Sequence, residues 1–254
     1  MKNKYTYHND FAYQVDIGKI RIKNEDQAAI LTNSNGDTLM IVADGMGGHN
    51  KGDYASKLAI DLISEEFKKR KKGFISIFVA KLWLQYIVSK ANKLVFNTSE
   101  KSIQYKGMGT TLVVVLIRKN NIVVLNVGDS RAYLYHNDKL ERLSEDQSYV
   151  DYLKRSGQIS ESEAEKRKDK NVLLNALGIY PSISFNSRLL SYIDSPLLLC
   201  SDGLFNNLKE KDIVDIIKKK MSAKDTVREL INSANKNGGS DNIAVCYFVR
   251  SKHD

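Results

Sequence analysis

Four aspartates stand where a short apolar run meets a glycine or a serine, and together they could hold hard cations. Leu39–Asp44 reads LMIVAD and continues GMGGH; Val123–Asp129 reads VVLNVGD and continues SRAYLY; Leu197–Asp202 reads LLLCSD and continues GLF. The fourth junction is reversed: Gly238–Asp241, GGSD, opens the run NIAVCYFV. An apolar, β-branched run bounded by turn residues spells a buried strand. Each carboxylate is therefore expected at a strand end, beside a cleft and partly buried. Divalent cations such as Mg²⁺ and Mn²⁺ take carboxylates, carbonyls and water. Gly45 lets the chain turn so that its carbonyl can face the same site as Asp44. One bridging carboxylate next to a carbonyl suits a pair of ions about 3.5–4 Å apart.

Each junction also has an ordinary explanation. Turns are rich in Asp and Gly for conformational reasons alone, Asp44 could cap the helix that follows, and Asp129 could pair with its neighbour Arg131. The loop GMGGHNKG could cradle a phosphate, but it lacks the lysine and hydroxyl of a P-loop and the glycine spacing of a dinucleotide site. It is the joint occurrence of four such aspartates that favours one oxygen-rich centre.

The elements that must position them follow from the pattern. Strands are expected at about 11–18, 26–32 and 38–43, the last two joined by the turn NSNGD, whose NG pair is a hairpin signal. Helices are expected from Asp53 to about Lys71 and from Ile75 to about Phe96, each with apolar residues at helical spacing. Thr110–Ile117, Ile122–Val127, Arg131–Tyr135 and Leu140–Leu143 read as an antiparallel meander. A polar stretch at about 147–170 reads as a surface excursion or lid, with helical patterns at Tyr149–Arg155 and Glu161–Lys168. Strands at 184–190 and 197–201, helices at about 210–219 and 223–235 and a strand at 242–249 complete the chain. Strands in blocks with helices in pairs between them indicate an α+β fold with largely antiparallel sheets.

Composition bounds the rest. At 254 residues, 42% hydrophobic and 27% charged, the chain suits one large globular domain. The net charge is +9, with lysines scattered along the chain and clustered in FKKRKKG, EKRKDK and IKKKM, which read as solvated faces; neither nucleic acid nor a membrane span is expected. Cys200 and Cys246 sit inside apolar runs as reduced core residues. MKNKYTYHNDF has no apolar signal region, so the expected location is cytoplasmic.

The ordered set RIKNED, VADGMGGH, GMGTTL, NVGDSRAYL, CSDGL and GGSDNIAV, spanning nearly the whole chain, resembles the metal-dependent protein phosphatases of type 2C, particularly the bacterial ones. The resemblance implies a four-layer α-β-β-α sandwich over residues 1–254, with the polar stretch as a flap. It implies a serine/threonine protein phosphatase working by direct attack of a metal-bridging hydroxide. Two Mn²⁺ or Mg²⁺ ions would be held by Asp44 as bridge, the Gly45 carbonyl, Asp202 and Asp241, and Asp129 with Asp202 would hold a third. Glu25 and Asp26 would support metal waters, and Arg21 would clamp the substrate phosphate. Implied partners are phosphorylated proteins, among them a Ser/Thr protein kinase and its substrates, met by a monomer.

The sequence departs from the family at a few positions. Met46 stands where many eukaryotic relatives have a histidine after DG, which leaves His49 as the nearest candidate general acid; otherwise it orients water or caps the next helix. Gln147 replaces a frequent histidine, and Arg167 and Lys168 stand where bacterial members often have His-Pro. These changes bear on the flap and on substrate choice, not on the metal ligands. A cysteine-based phosphatase needs an arginine six positions after its cysteine; Asn206 and Lys252 stand there instead. The remaining alternative is a weakly active or inactive family member serving as a regulatory binding module.

Overall fold

The computed structural model describes residues 6–47, 51–167, 169, 172–192 and 194–253. Strands β1 (Thr6–Asp16), β2 (Asp26–Thr32) and β3 (Thr38–Met46) lead into helices α1 (Gly52–Lys68) and α2 (Ile77–Glu100). Next come β4 (Gly109–Thr110), β5 (Leu112–Arg118), β6 (Asn121–Val127), β7 (Arg131–His136) and β8 (Lys139–Arg142). The polar stretch carries α3 (Tyr149–Arg155) and α4 (Glu161–Lys166). The chain finishes with β9 (Asn186–Ser191), β10 (Leu197–Cys200), α5 (Asp202–Phe205), α6 (Glu210–Lys218), α7 (Ala223–Lys236) and β11 (Ile243–His253).

These strands form two antiparallel sheets, one ordered β1-β11-β10-β7-β8 and the other β2-β3-β5-β6-β9, with β4 paired to β3. Successive side chains of a strand point to opposite faces, and in the central strands β3, β5, β6, β10 and β11 both faces are buried, which is why these read as unbroken apolar runs. In β3, Leu39, Ile41 and Ala43 pack with Ala59, Ile63 and Leu84 of α1 and α2, while Met40 and Val42 join the core between the sheets. In β11, Ala244, Cys246 and Phe248 enter that central core, and Ile243, Val245 and Tyr247 face Leu230 and Ile231 of α7. Three apolar layers thus separate helices, sheet, sheet and helices: the expected α-β-β-α sandwich. Cys200 and Cys246 are buried free thiols in two different layers.

Three expectations need correction. The stretch from β5 to β8 is not one meander: β5 and β6 belong to one sheet, β7 and β8 to the other. The chain crosses between sheets at Gly128, whose φ of +88° favours glycine and where a β-carbon would crowd Thr111. The strand expected from Thr110 is broken at Thr111, between β4 and β5. Helix α2 starts at Ile77, because Ser76 is extended and its hydroxyl accepts from the Val79 N–H as a cap.

Candidate metal centre

The sandwich brings Asp44, Asp129, Asp202 and Asp241 from β3, the β6–β7 crossing, α5 and the start of β11 to one cavity of about 290 Å³. Arg21, Glu25 and Gly45 line it too, so five carboxylates face a single guanidinium.

Asp44 lies within β3, not at its end. Its N–H donates to Thr111 Oγ1 (3.0 Å), and its carbonyl accepts from Thr111 N (2.8 Å) and Thr110 Oγ1 (2.9 Å). The break at Thr111 thus serves to peg Asp44 at three points, and the Thr111 hydroxyl also meets that of Ser130 at 2.7 Å. Gly45 donates to the Glu25 carbonyl (3.1 Å), and any side chain at residue 45 would collide with the backbone carbonyl of Gly52. Glu25 fixes the start of α1 by accepting from Gly52 N (3.2 Å) through Oε1 and from Ser56 Oγ (2.6 Å) through its carbonyl.

Asn242 ties the loop bearing Arg21 and Glu25 to β11. Its Nδ2 donates to the carbonyls of Ile17 (2.9 Å) and Lys23 (2.8 Å), and its Oδ1 accepts from Glu25 N (2.9 Å). Arg21, half exposed at the cavity mouth, donates to Asp241 Oδ2 at 2.8 Å. Asp202 opens α5, where its Oδ2 accepts from Asn206 Nδ2 (3.0 Å).

Asp26 is fully buried, its Oδ2 accepting from Ser201 Oγ at 2.6 Å. Its Oδ1 has no hydrogen-bond donor among the described residues, and it sits beside the Asp44 carboxylate, so a shared proton, a cation or a water must satisfy both. Burial, then its acidic neighbours, push Asp26 up to about 8 despite the Ser201 hydrogen bond. The same two causes raise Asp44 well above the usual carboxylate range, Asp129 to about 7 and Asp202 to about 6. Desolvated like charges without counter-charge are the electrostatic signature of a cation site.

Asp129 does not pair with Arg131. The Arg131 guanidinium binds Asp146, with Nε at 2.9 Å and Nη2 at 2.6 Å from Oδ2, and stacks 3.6 Å from the centre of the Phe205 ring. Asp129 and Asp202 also line a neighbouring cavity of about 130 Å³ floored by this cluster. Gln147 joins the polar excursion to the crossing loop: its Oε1 accepts from Gly128 N (3.0 Å) and Asn175 Nδ2 (2.8 Å). Arg167 pairs with Asp169 at 2.6 Å. His49 lies outside the described residues.

The donor set is all oxygen, as hard divalent cations require. Among the described residues no three His, Cys, Asp or Glu side chains are gathered tightly enough to cage one ion by themselves. The cavity leaves room for water to complete the coordination, as Mg²⁺ in particular demands. Thr110, Thr111, Ser130, Ser201 and Asn242 were not singled out from the sequence as site residues. The only signal was that each falls inside or beside one of the six motifs.

The protein phosphatase 2C profile matches residues 21–245. The serine/threonine phosphatase stp of Listeria welshimeri is 38% identical over 240 residues, covering 94% of this chain and 95% of the relative. The solved S. agalactiae serine/threonine phosphatase superposes with a TM-score of 0.90 at 30% identity, covering 95% of this chain and 99% of that one. The catalytic domain of the phosphatase PstP, solved in complex with two manganese ions, gives 0.81 at 27% identity over 96% and 99%. With its sandwich, its oxygen-lined cavity and these relatives, the chain belongs to the protein phosphatase 2C family of metal-dependent serine/threonine phosphatases.

Proposed function

We propose that this protein hydrolyses phosphoserine and phosphothreonine monoesters in proteins, using two Mn²⁺ or Mg²⁺ ions held by Asp44, the Gly45 carbonyl, Asp202 and Asp241, with Asp129 reaching a third. The observation that carries this reading is the set of buried carboxylates on one cavity, raised by burial and mutual repulsion and only partly offset by Arg21 and the nearby Arg131. Bound ions would supply a water acidic enough to act as nucleophile near neutral pH and positive charge for the phosphoryl oxygens.

The chain's own residues do the rest. Arg21 stands at the mouth with a guanidinium suited to a phosphate dianion; moving from Asp241 to the substrate, it orients the phosphoryl group and frees a carboxylate. Glu25 and Asp26 accept from and orient water at the base of the cavity. His49 donates the proton that the departing serine or threonine oxygen needs. The polar excursion from about residue 147 to 170, anchored at Gln147, acts as the flap over one side of the cavity. Phosphoserine proteins require a kinase to make them, so the substrates include those of a Ser/Thr kinase and the kinase itself, in the cytoplasm, where ATP sustains phosphorylation. The protein works as a monomer over its whole length.

Phosphate release from an aryl phosphate and from a phosphothreonine peptide, with Mn²⁺ or with chelator, tests this. The wild type should need metal, and Asp202→Asn should lose about two orders of magnitude or more in rate at limiting Mn²⁺. Activity surviving both chelator and that substitution would sink the proposal. Replacing His49 with Ala should slow the peptide, whose leaving alkoxide needs a proton, by about 10²-fold. The aryl phosphate, whose leaving group is a weak base, should be nearly unaffected; equal losses on both substrates would remove His49 from the acid role.

A further inference from the structure

Helix α2 and the loop before it carry an unusual surface. Between Lys68 and Ser99 the sequence holds eight basic residues (KKRKK at 68–72, then Lys81, Lys90 and Lys93) and no Asp or Glu. Along the outer face of α2, Phe78, Leu82 and Tyr86 recur every four residues and are 66%, 66% and 65% exposed; Ile75, just ahead, is 92% exposed. Large apolar side chains lined up on one helix face are not scattered surface residues, and they call for a partner.

The presentation is rigid. Ser34 and Asn35 hold the carbonyls of Lys71 and Lys72, Phe74 N donates to Asp37 Oδ2 (3.0 Å), and Arg118 bridges Asp37 (2.7 Å) and the Ile75 carbonyl (3.3 Å). The backbone is thereby pinned, and Lys71 and Lys72 are left exposed, without an acidic partner among the described residues. Arg70 lies over Phe74 and Trp83, and Glu66 engages Lys69 and Lys90, so those charges are partly spent. Lys93 continues the exposed face beyond Tyr86.

We propose that this face docks the phosphatase on an anionic lipid bilayer, with Ile75, Phe78, Leu82 and Tyr86 entering the headgroup boundary and the flanking lysines meeting lipid phosphates. A bilayer fits better than a protein groove because the apolar side chains protrude, and a deformable phase accepts protruding groups without a matching surface. Aromatic and aliphatic residues on one helix face, flanked by lysines alone, are the composition of interfacial helices. The charge sets the choice of lipid. A cytoplasmic enzyme of this kind would act on phosphoproteins at the inner membrane surface.

Cosedimentation of the full chain with vesicles of phosphatidylglycerol or of phosphatidylcholine tests the proposal. Binding is expected to phosphatidylglycerol alone and to weaken as salt rises. Both Phe78→Ser/Leu82→Ser and Lys71→Glu/Lys72→Glu should weaken it by about tenfold or more, while solution hydrolysis of an aryl phosphate, to which neither pair contributes, stays unchanged and certifies the fold. No binding to phosphatidylglycerol overturns the proposal, as does binding that survives either double substitution. A dimer in sedimentation equilibrium that Phe78→Ser/Leu82→Ser abolishes would also overturn it, assigning the face to a second copy.

Discussion

On the proposed metal arrangement, Arg21 and the cations would compete for Asp241. The ion pair at 2.8 Å is half exposed on the arginine side, so it holds the guanidinium by under about 1 kcal/mol. Removing the arginine therefore has two effects of opposite sign. Arg21→Ala should lower kcat/KM for a phosphopeptide by about thirtyfold, the loss of roughly 2 kcal/mol of charged hydrogen bonding to phosphate. It should also lower the Mn²⁺ concentration needed for half-maximal activity, because Asp241 is left without its internal cation. A titration of activity against Mn²⁺ in both proteins reads both; an increased Mn²⁺ requirement would refute the competition. Asp26 marks what could not be seen at this scale from sequence. The family resemblance implied that it supports metal waters, but only its placement opposite Asp44 and against Ser201 shows it as a fully buried carboxylate pushed up to about 8.

At the scale of elements, the site depends on three joints: β3 to α1, β6 to β7, and β10 through α5 to β11. The third is the tightest. Gly203, second in α5, lies so close to the Asn242 carbonyl that a β-carbon would overlap it. Gly203→Ala must push α5 away from β11 and so separate Asp202 from Asp241. We expect a cost of about 2 kcal/mol in urea unfolding of the metal-free protein, in the range of overpacked cores, together with weaker Mn²⁺ binding by calorimetry. Unchanged stability and affinity would show that the joint yields. The elements themselves were readable because the central strands bury both faces and the longer helices one. Their partners were not: β7 follows β6 by only a short crossing yet joins the opposite sheet, a choice set by Gly128 and by which apolar face each strand finds.

The whole molecule carries an electrostatic cost that protonation or bound cations relieve. Burial and acidic neighbours push Asp26, Asp129 and Asp202 up to about 8, 7 and 6, and raise Asp44 well above the usual carboxylate range, against about 3.9 for an unfolded aspartate. A raised carboxylate stabilises the fold only while protonated. Its contribution is complete below the unfolded value and is lost as pH rises through the folded ones. The chelated protein should therefore lose thermal stability as pH goes from about 6 to about 8, and Mn²⁺ should restore more at the upper end. Melting temperatures with and without chelator across that window give the answer; a metal-free Tm that climbs with pH would contradict the charge arrangement.

What the sequence determined by itself was the alternation of strands and helices, because periodicity follows from local burial, and the set of acidic junctions, because four aspartates at the ends of apolar runs are more than turn chemistry alone would place there. The motif order was enough to suggest the family and its sandwich. Only the tertiary structure decided that Arg131 serves Asp146 and Phe205 instead of Asp129, that Arg21 rests on Asp241, and that Thr111, Ser201 and Asn242 hold the carboxylates in place. The physical reason is distance along the chain. Ser201 meets Asp26 and Asn242 meets Glu25 across most of the sequence, so their pairing exists only once two sheets have packed and brought the ends of unrelated strands to one cavity.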